Sequence, residues 1–107
     1  MSSLQAEYNA YKTQLQRLTE KISELQNEAY EHKLVLDTLE NCEPERRCLR
    51  MVGGVLLDKT VGHVKPTLEE TYKGLEKAIQ TLQQEMKSTE TKLDDWKKKH
   101  NVKIVTQ

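Results

Sequence analysis

The sequence predicts a mainly α fold, a long antiparallel coiled-coil hairpin of two helices joined by a single β-hairpin. Three observations predict it. Apolar residues recur at steps of four and three through two separate stretches of similar length, and neither Gly nor Pro occurs before Pro44. Between the stretches sits CLRMVGGVLLDKT, residues 48–60, where aliphatic and β-branched residues flank a Gly-Gly pair. The expected layout is one domain over residues 1–107: an N-terminal helix at about 3–40, a β-hairpin at about 48–59 and a C-terminal helix at about 61–101.

The first arm carries Leu4, Tyr8, Tyr11, Leu15, Leu18, Ile22, Leu25, Ala29, His32, Leu36 and Leu39. This spacing is the 3.5-residue repeat of a narrow coiled-coil seam, with Tyr8, Leu15, Ile22, Ala29 and Leu36 at a. Ser2 with Gln5 offers a capping box at its start. His32 is the polar member of the seam, a residue type that marks register at such positions.

In the middle, Val52-Gly53-Gly54-Val55 is a two-residue hairpin signal, because glycine reaches the positive φ angles that type I′ or II′ turns require. A turn there pairs Met51 with Leu56 and Leu49 with Asp58 on one face, and Val52 with Val55 and Arg50 with Leu57 on the other. Both faces are partly apolar. A lone two-stranded hairpin is marginally stable at best in water, and its edges carry unpaired N–H and C=O groups. The expectation is that Leu49, Met51, Val52, Gly53, Gly54, Val55, Leu56 and Leu57 form an assembly device completed by other chains; a hairpin folded onto its own helices is the plainer alternative.

The second arm repeats the seam with Leu68, Tyr72, Leu75, Ile79, Leu82, Met86, Thr89, Leu93, Trp96 and His100. Thr67 and Glu70 offer a capping box just after Pro66, while Val61 and Val64 continue the stripe backwards. A helix start near Thr60 with a kink at Pro66 therefore stands beside a start at Thr67. Gly74 weakens this arm by about 1 kcal/mol relative to Ala.

Folding the arms on one another with Leu4 opposite His100 sets Leu36 against Leu68. The flanking pairs then read Lys12 with Glu90, Lys33 with Glu69, Glu7 with Lys99 and Lys21 with Glu85, all attractive. Sliding one heptad, so that Tyr11 opposes His100, brings like charges together at four places. Each surface pair is worth only about 0–1 kcal/mol, but their sum favours the first register. That register places residues 37–67 at one end and both termini at the other.

Composition narrows the function classes. With 36% apolar residues, 32% charged, 5% aromatic and no Phe, the 107-residue chain has little material for a thick core. Its formal net charge is zero, which argues against a nucleic-acid binder. Met51 to Leu57, the longest uncharged apolar run, falls well short of the roughly 20 residues of a membrane helix. The start lacks the basic and apolar regions of a signal peptide, so a soluble, cytoplasmic protein is expected. Cys42 and Cys48 read as free thiols, and His32, His63 and His100 are too scattered to complete a metal set with them. No catalytic constellation, metal site or cofactor is expected, since no carboxylate pair, nucleophile with its base or phosphate loop has a cleft to sit in.

Helix, single hairpin, helix, with ERRCLRMVGGVLLDKTV at the centre and WKKKHNVKIV near the end, resembles the β-type prefoldin subunits, nearest to those forming the second subunit of the eukaryotic complex. The resemblance covers nearly the whole chain. It implies a hetero-hexamer of two α-type and four β-type subunits, whose hairpins join into a β-barrel platform carrying six coiled coils. It implies further that the complex holds unfolded proteins, notably actin and tubulin, and delivers them to the group II chaperonin without ATP. Under that reading the free ends meet the client. Leu4, Tyr8, Tyr11, Leu93 and Trp96 on the seam, with Val102, Ile104 and Val105 beyond it, are the candidate contact residues, since coiled-coil ends fray and apolar area binds without demanding shape; for each of the first five, ordinary seam packing is the plainer reading. Lys97, Lys98, Lys99 and Lys103 suit a helix C-terminus through the macrodipole, with docking to an acidic chaperonin surface as the second possibility. A coiled-coil tether joining fixed partners is the competing function.

Overall fold

The computed structural model describes residues 3–102, with residues 50–52 and 55–57 described by their backbone. The chain runs α1 (Ser3–Glu40), β1 (Arg47–Val52), β2 (Val55–Thr60) and α2 (Val61–Lys99). It is two long helices with an antiparallel two-stranded sheet between them in sequence. Ser2, the expected cap of α1, lies outside the described residues. Contacts divide the chain into two units, Met1–Glu24 with Ile79–Gln107, and Leu25–Ala78.

In the first unit the helices run antiparallel. Tyr8 stacks on Trp96, Gln14 reaches Thr89, and Thr19 Oγ1 reaches Met86 Sδ, so each advance along α1 is a retreat along α2. This is the register that opposes Leu4 to His100; the one slid by a heptad sets Trp96 against Leu15 instead. Leu18, Ile22, Leu93 and Trp96 are buried along this seam. So is Thr89, 3% exposed, the buried polar side chain of the described residues. Its hydroxyl donates to the Glu85 carbonyl at 2.9 Å and receives the Gln14 amide at 3.5 Å.

The flanking charges behave otherwise than expected. Among the described residues none of the four anticipated inter-helix ion pairs is closed. Lys21 pairs with Glu24 at 3.5 Å and Lys33 with Asp37 at 3.2 Å, each within one helix turn. All four of these side chains are exposed. On an exposed face, partners three or four residues away on the same helix are nearer than a partner across the seam. The register thus rests on the packing of the seam itself.

In the second unit Ala29, Val61 and Val64 are buried apolar residues among those described. Val61 and Val64 belong to the first turn of α2, which follows β2 with no intervening loop. Helix starts leave four N–H groups without intrahelical partners. Here the chain before β1 supplies acceptors: Val61 N–H donates to the Arg46 carbonyl and Gly62 N–H to the Pro44 carbonyl, both at 2.8 Å. α2 therefore begins upstream of Pro66 and runs through it. Gly62 permits the approach, since a Cβ there would lie 3.1 Å from the Pro44 oxygen and 3.2 Å from its Cβ.

The hairpin pairs Arg47 with Thr60, Leu49 with Asp58, Met51 with Leu56 and Val52 with Val55. Gly53 and Gly54 have φ of 56° and 82°, the double positive φ of a type I′ turn whose twist matches its strands. Arg47 grips Asp58 through two guanidinium nitrogens, Nε donating to Oδ1 at 3.2 Å and Nη2 to Oδ2.

The other end of α2 closes by backbone geometry. Val102 N–H donates to the Lys97 carbonyl at 2.9 Å and Asn101 N–H to the Lys98 carbonyl at 3.3 Å, while Asn101 takes φ 51°. That is a Schellman motif with Asn at the left-handed position, the residue other than Gly that tolerates it best. Lys97, Lys98 and Lys99 occupy the last turn, where positive charge suits the exposed carbonyls.

Candidate assembly and capture surfaces

The hairpin surface follows from the sheet having two strands. Each strand has one edge in the ladder and one outside it. Alternation of side chains sets Arg47 and Leu49 on the same face as Asp58 and Thr60. Leu49 is 67% exposed there, a large apolar side chain beside an ion pair. Cys48 points to the opposite face and is half-buried; it and Cys42 are free thiols. Lys59 Nζ lies 3.2 Å from His63 Nε2, one turn into α2.

The second surface is an aromatic layer in the unit that contains both termini. Trp96 is 8% exposed. Its ring centroid lies 6.2 Å from that of Tyr8, 6.0 Å from Tyr11 and 5.4 Å from His100, in offset and tilted arrangements that aromatic quadrupoles favour. Its indole N–H donates to Glu7 Oε2 at 3.0 Å, satisfying the polar atom that a Trp carries into a seam. Leu93 is buried beside it, Tyr8 and Tyr11 are half-buried, and Leu4 is 41% exposed. Of the expected client-contact residues, the structure thus joins Tyr8, Tyr11 and Trp96 in one cluster and leaves Leu4 open. Val102 is half-buried as the residue that follows the Schellman position. Ile104 and Val105 lie outside the described residues.

Heptad counting passes over Tyr30, Leu34 and Val35. They stand off the seam, and all three are exposed, Tyr30 by 64%. Tyr30 and Leu34 are four apart on α1, so they share one face. The available signal was their apolar character outside positions a and d. Also in the second unit, a shallow groove of about 290 Å³ is lined by Lys33, Asp37, Glu69 and Tyr72 among others. The Asp37 carboxylate accepts a hydrogen bond from Lys33 and, with its charge, holds the ammonium above its ordinary value of 10.5. His32, half-buried, bonds through Nδ1 to the Glu28 carbonyl at 2.9 Å, anchoring the ring to its own helix.

Among the described residues no group of three or more His, Cys, Asp or Glu side chains is placed to hold a metal ion. Nor is any described helix long and apolar enough to cross a membrane.

Residues 2–107 match the family described as prefoldin subunit. The chain belongs to that family. It is 41% identical over 104 residues to "Probable prefoldin subunit 2" of Schizosaccharomyces pombe, covering 97% of this chain and 91% of that protein. It is 37% identical over 101 residues to "Prefoldin subunit 2" of Saccharomyces cerevisiae, covering 94% and 91%. Against the human "Prefoldin subunit 2" it is 38% identical over 100 residues, 94% of this chain but 65% of the human protein. Among solved structures, the prefoldin beta subunit from Thermococcus strain KS-1 superposes with a TM-score of 0.81 at 23% identity, covering 91% of this chain and 85% of that one. Single hairpin and long paired helices are thus the prefoldin β-subunit fold. A prefoldin subunit is a non-enzymatic chaperone component that assembles with other prefoldin subunits.

Proposed function

We propose that this prefoldin subunit is a β-type member of a hetero-hexamer of two α-type and four β-type subunits, working in the cytoplasm. The complex captures unfolded proteins such as actin and tubulin at its coiled-coil tips and passes them to the group II chaperonin without ATP. The observation that carries this reading is the two-stranded ladder, each strand with an edge outside it, bearing Leu49 in water. Edges of this kind are ready templates for strands of another chain, and the family assembles. In this reading the residues from Leu49 to Leu57 are the joint.

Capture is assigned to Leu4, Tyr8, Tyr11, Leu93 and Trp96, with Val102, Ile104 and Val105. The rings of Tyr8, Tyr11 and Trp96 already form one apolar layer, and Leu4 extends it into solvent. Burial of apolar area stabilises by about 25 cal/mol per Å² without shape selection, and several arms acting together supply avidity.

The test is native mass measurement after co-expression with α-type partners, with and without Met51→Glu and Leu56→Glu. A hexamer is expected for the natural chain, and loss of incorporation with helix content retained for the variant; monomer throughout overturns the assembly reading. The hexamer should also suppress aggregation of diverse denatured proteins. A tether between fixed partners would leave that aggregation unchanged.

A further inference from the structure

The contact between Glu7 and Trp96 is more than seam packing requires. A leucine at this position would fill the layer with no polar partner. Trp96 instead brings an indole N–H into the seam, and Glu7 reaches across from the other helix to accept it at 3.0 Å. Trp96 is 8% exposed, whereas Leu4 and His100, which follow it toward the chain ends, are exposed. It therefore belongs to the last buried layer, with the exposed ring of His100 as its neighbour toward the chain end.

We propose that the Glu7–Trp96 hydrogen bond is a clasp on the capture surface. Closed, it keeps the aromatic layer of Tyr8, Tyr11 and Trp96 packed on itself; open, it presents Trp96 and the two tyrosines to apolar and aromatic side chains of an unfolded chain. This rests on the reading that clients are met at the tips. The chemistry favours reversibility. When the layer parts, water replaces the carboxylate–indole bond, since Glu7 lies on the exposed side of the seam. The aromatic area lost between the helices is regained from the client. Ring centroids at 6.0 and 6.2 Å leave contacts that another ring can substitute. The clasp thereby keeps a large apolar surface covered until a competing apolar surface arrives, which limits self-association through exposed patches.

The chain contains one Trp, so a fluorine reporter is unambiguous. 5-Fluorotryptophan is incorporated into this chain alone, the chain is assembled with unlabelled partner subunits, and chemically denatured, reduced lysozyme is added as the client probe. The fluorine resonance is expected to move toward its solvent-exposed position as the probe binds. Glu7→Ala, which removes the acceptor, should shift the resonance the same way without client and bind the probe about three- to tenfold more tightly, because more of the population is already open. Glu7→Gln keeps a neutral acceptor for the indole N–H and should fall between, which preserves the test should the alanine variant assemble poorly. Probe binding with an unmoved resonance, or equal or weaker binding by both variants at unchanged helix content, overturns the clasp while leaving capture at the tips in place. An assembly that binds no probe overturns both.

Discussion

Thr89 allows its hydroxyl and its methyl to be weighed separately. It is buried in the seam at 3% exposure, at a position where the heptad pattern asks for an aliphatic residue. The hydroxyl donates to the Glu85 carbonyl four residues back, an acceptor that the helix already serves through the Thr89 N–H. Its second contact, with Gln14 at 3.5 Å, lies at the outer limit of hydrogen-bond distance, and the Gln14 amide is exposed enough to turn to water. Thr89→Val therefore orphans nothing. It forfeits a neutral hydrogen bond worth about 1 kcal/mol net and buries a methyl group in its place, worth about 0.8 kcal/mol. The expected outcome is close to neutral. Thr89→Ser keeps the hydroxyl and deletes the methyl, at about 0.8 kcal/mol of lost burial. Thermal unfolding of the assembled protein, followed by helical circular dichroism, should place Val close to the natural chain and Ser below it. The spacing is about 4–8 °C per kcal/mol for a domain of this size. If Ser melts with the natural chain and Val melts lower, the hydroxyl holds the layer and the reasoning fails.

Three further outcomes are expected. Gly74→Ala meets no atom within 4 Å, so it should raise stability by about 0.5–1 kcal/mol through helix propensity alone. Gly62→Ala has to push against Pro44 at 3.1 and 3.2 Å and should show a smaller gain or a loss; equal gains at both sites in a urea titration would refute the close approach. For Lys33, the pairing with Asp37 raises the ammonium above 10.5. A raised folded value means that the contribution is complete below the ordinary value and disappears as pH climbs through the folded one. Melting curves of the natural chain and Lys33→Met, compared at neutral pH and well above pH 10.5, should differ only at neutral pH and only slightly, as an exposed pair allows.

The seam was legible because burial leaves a period. Leu18, Ile22 and Leu93 announce themselves by spacing, and Gly53-Gly54 by a backbone need that few residues meet. Capping of α2 was not legible, because it depends on the carbonyls of Pro44 and Arg46, groups that every residue possesses and only the folded chain brings to Val61 and Gly62. The Thr67 capping box carried the more visible side-chain signal. The Schellman stop at Asn101 left a fainter trace, an Asn after a run of lysines. The expected flanking ion pairs failed for a related reason: charge pattern records which partners attract, while distance on an exposed face decides which of them meet. For the candidate surfaces, a list of apolar seam residues did not separate Trp96, packed and bonded to Glu7, from Leu4, open to water.

The two junctions of the hairpin differ in kind. Thr60 passes into Val61 without a spare residue, and the main-chain bonds from Pro44 and Arg46 stitch the incoming strand to that same turn of α2. Ribbon and α2 base are thus welded, whereas α1 is joined to them by Asn41, Cys42 and Glu43. Load applied to the ribbon by a neighbouring subunit would enter the molecule through α2, with Val61 and Val64 as its footing and α1 following on a short leash.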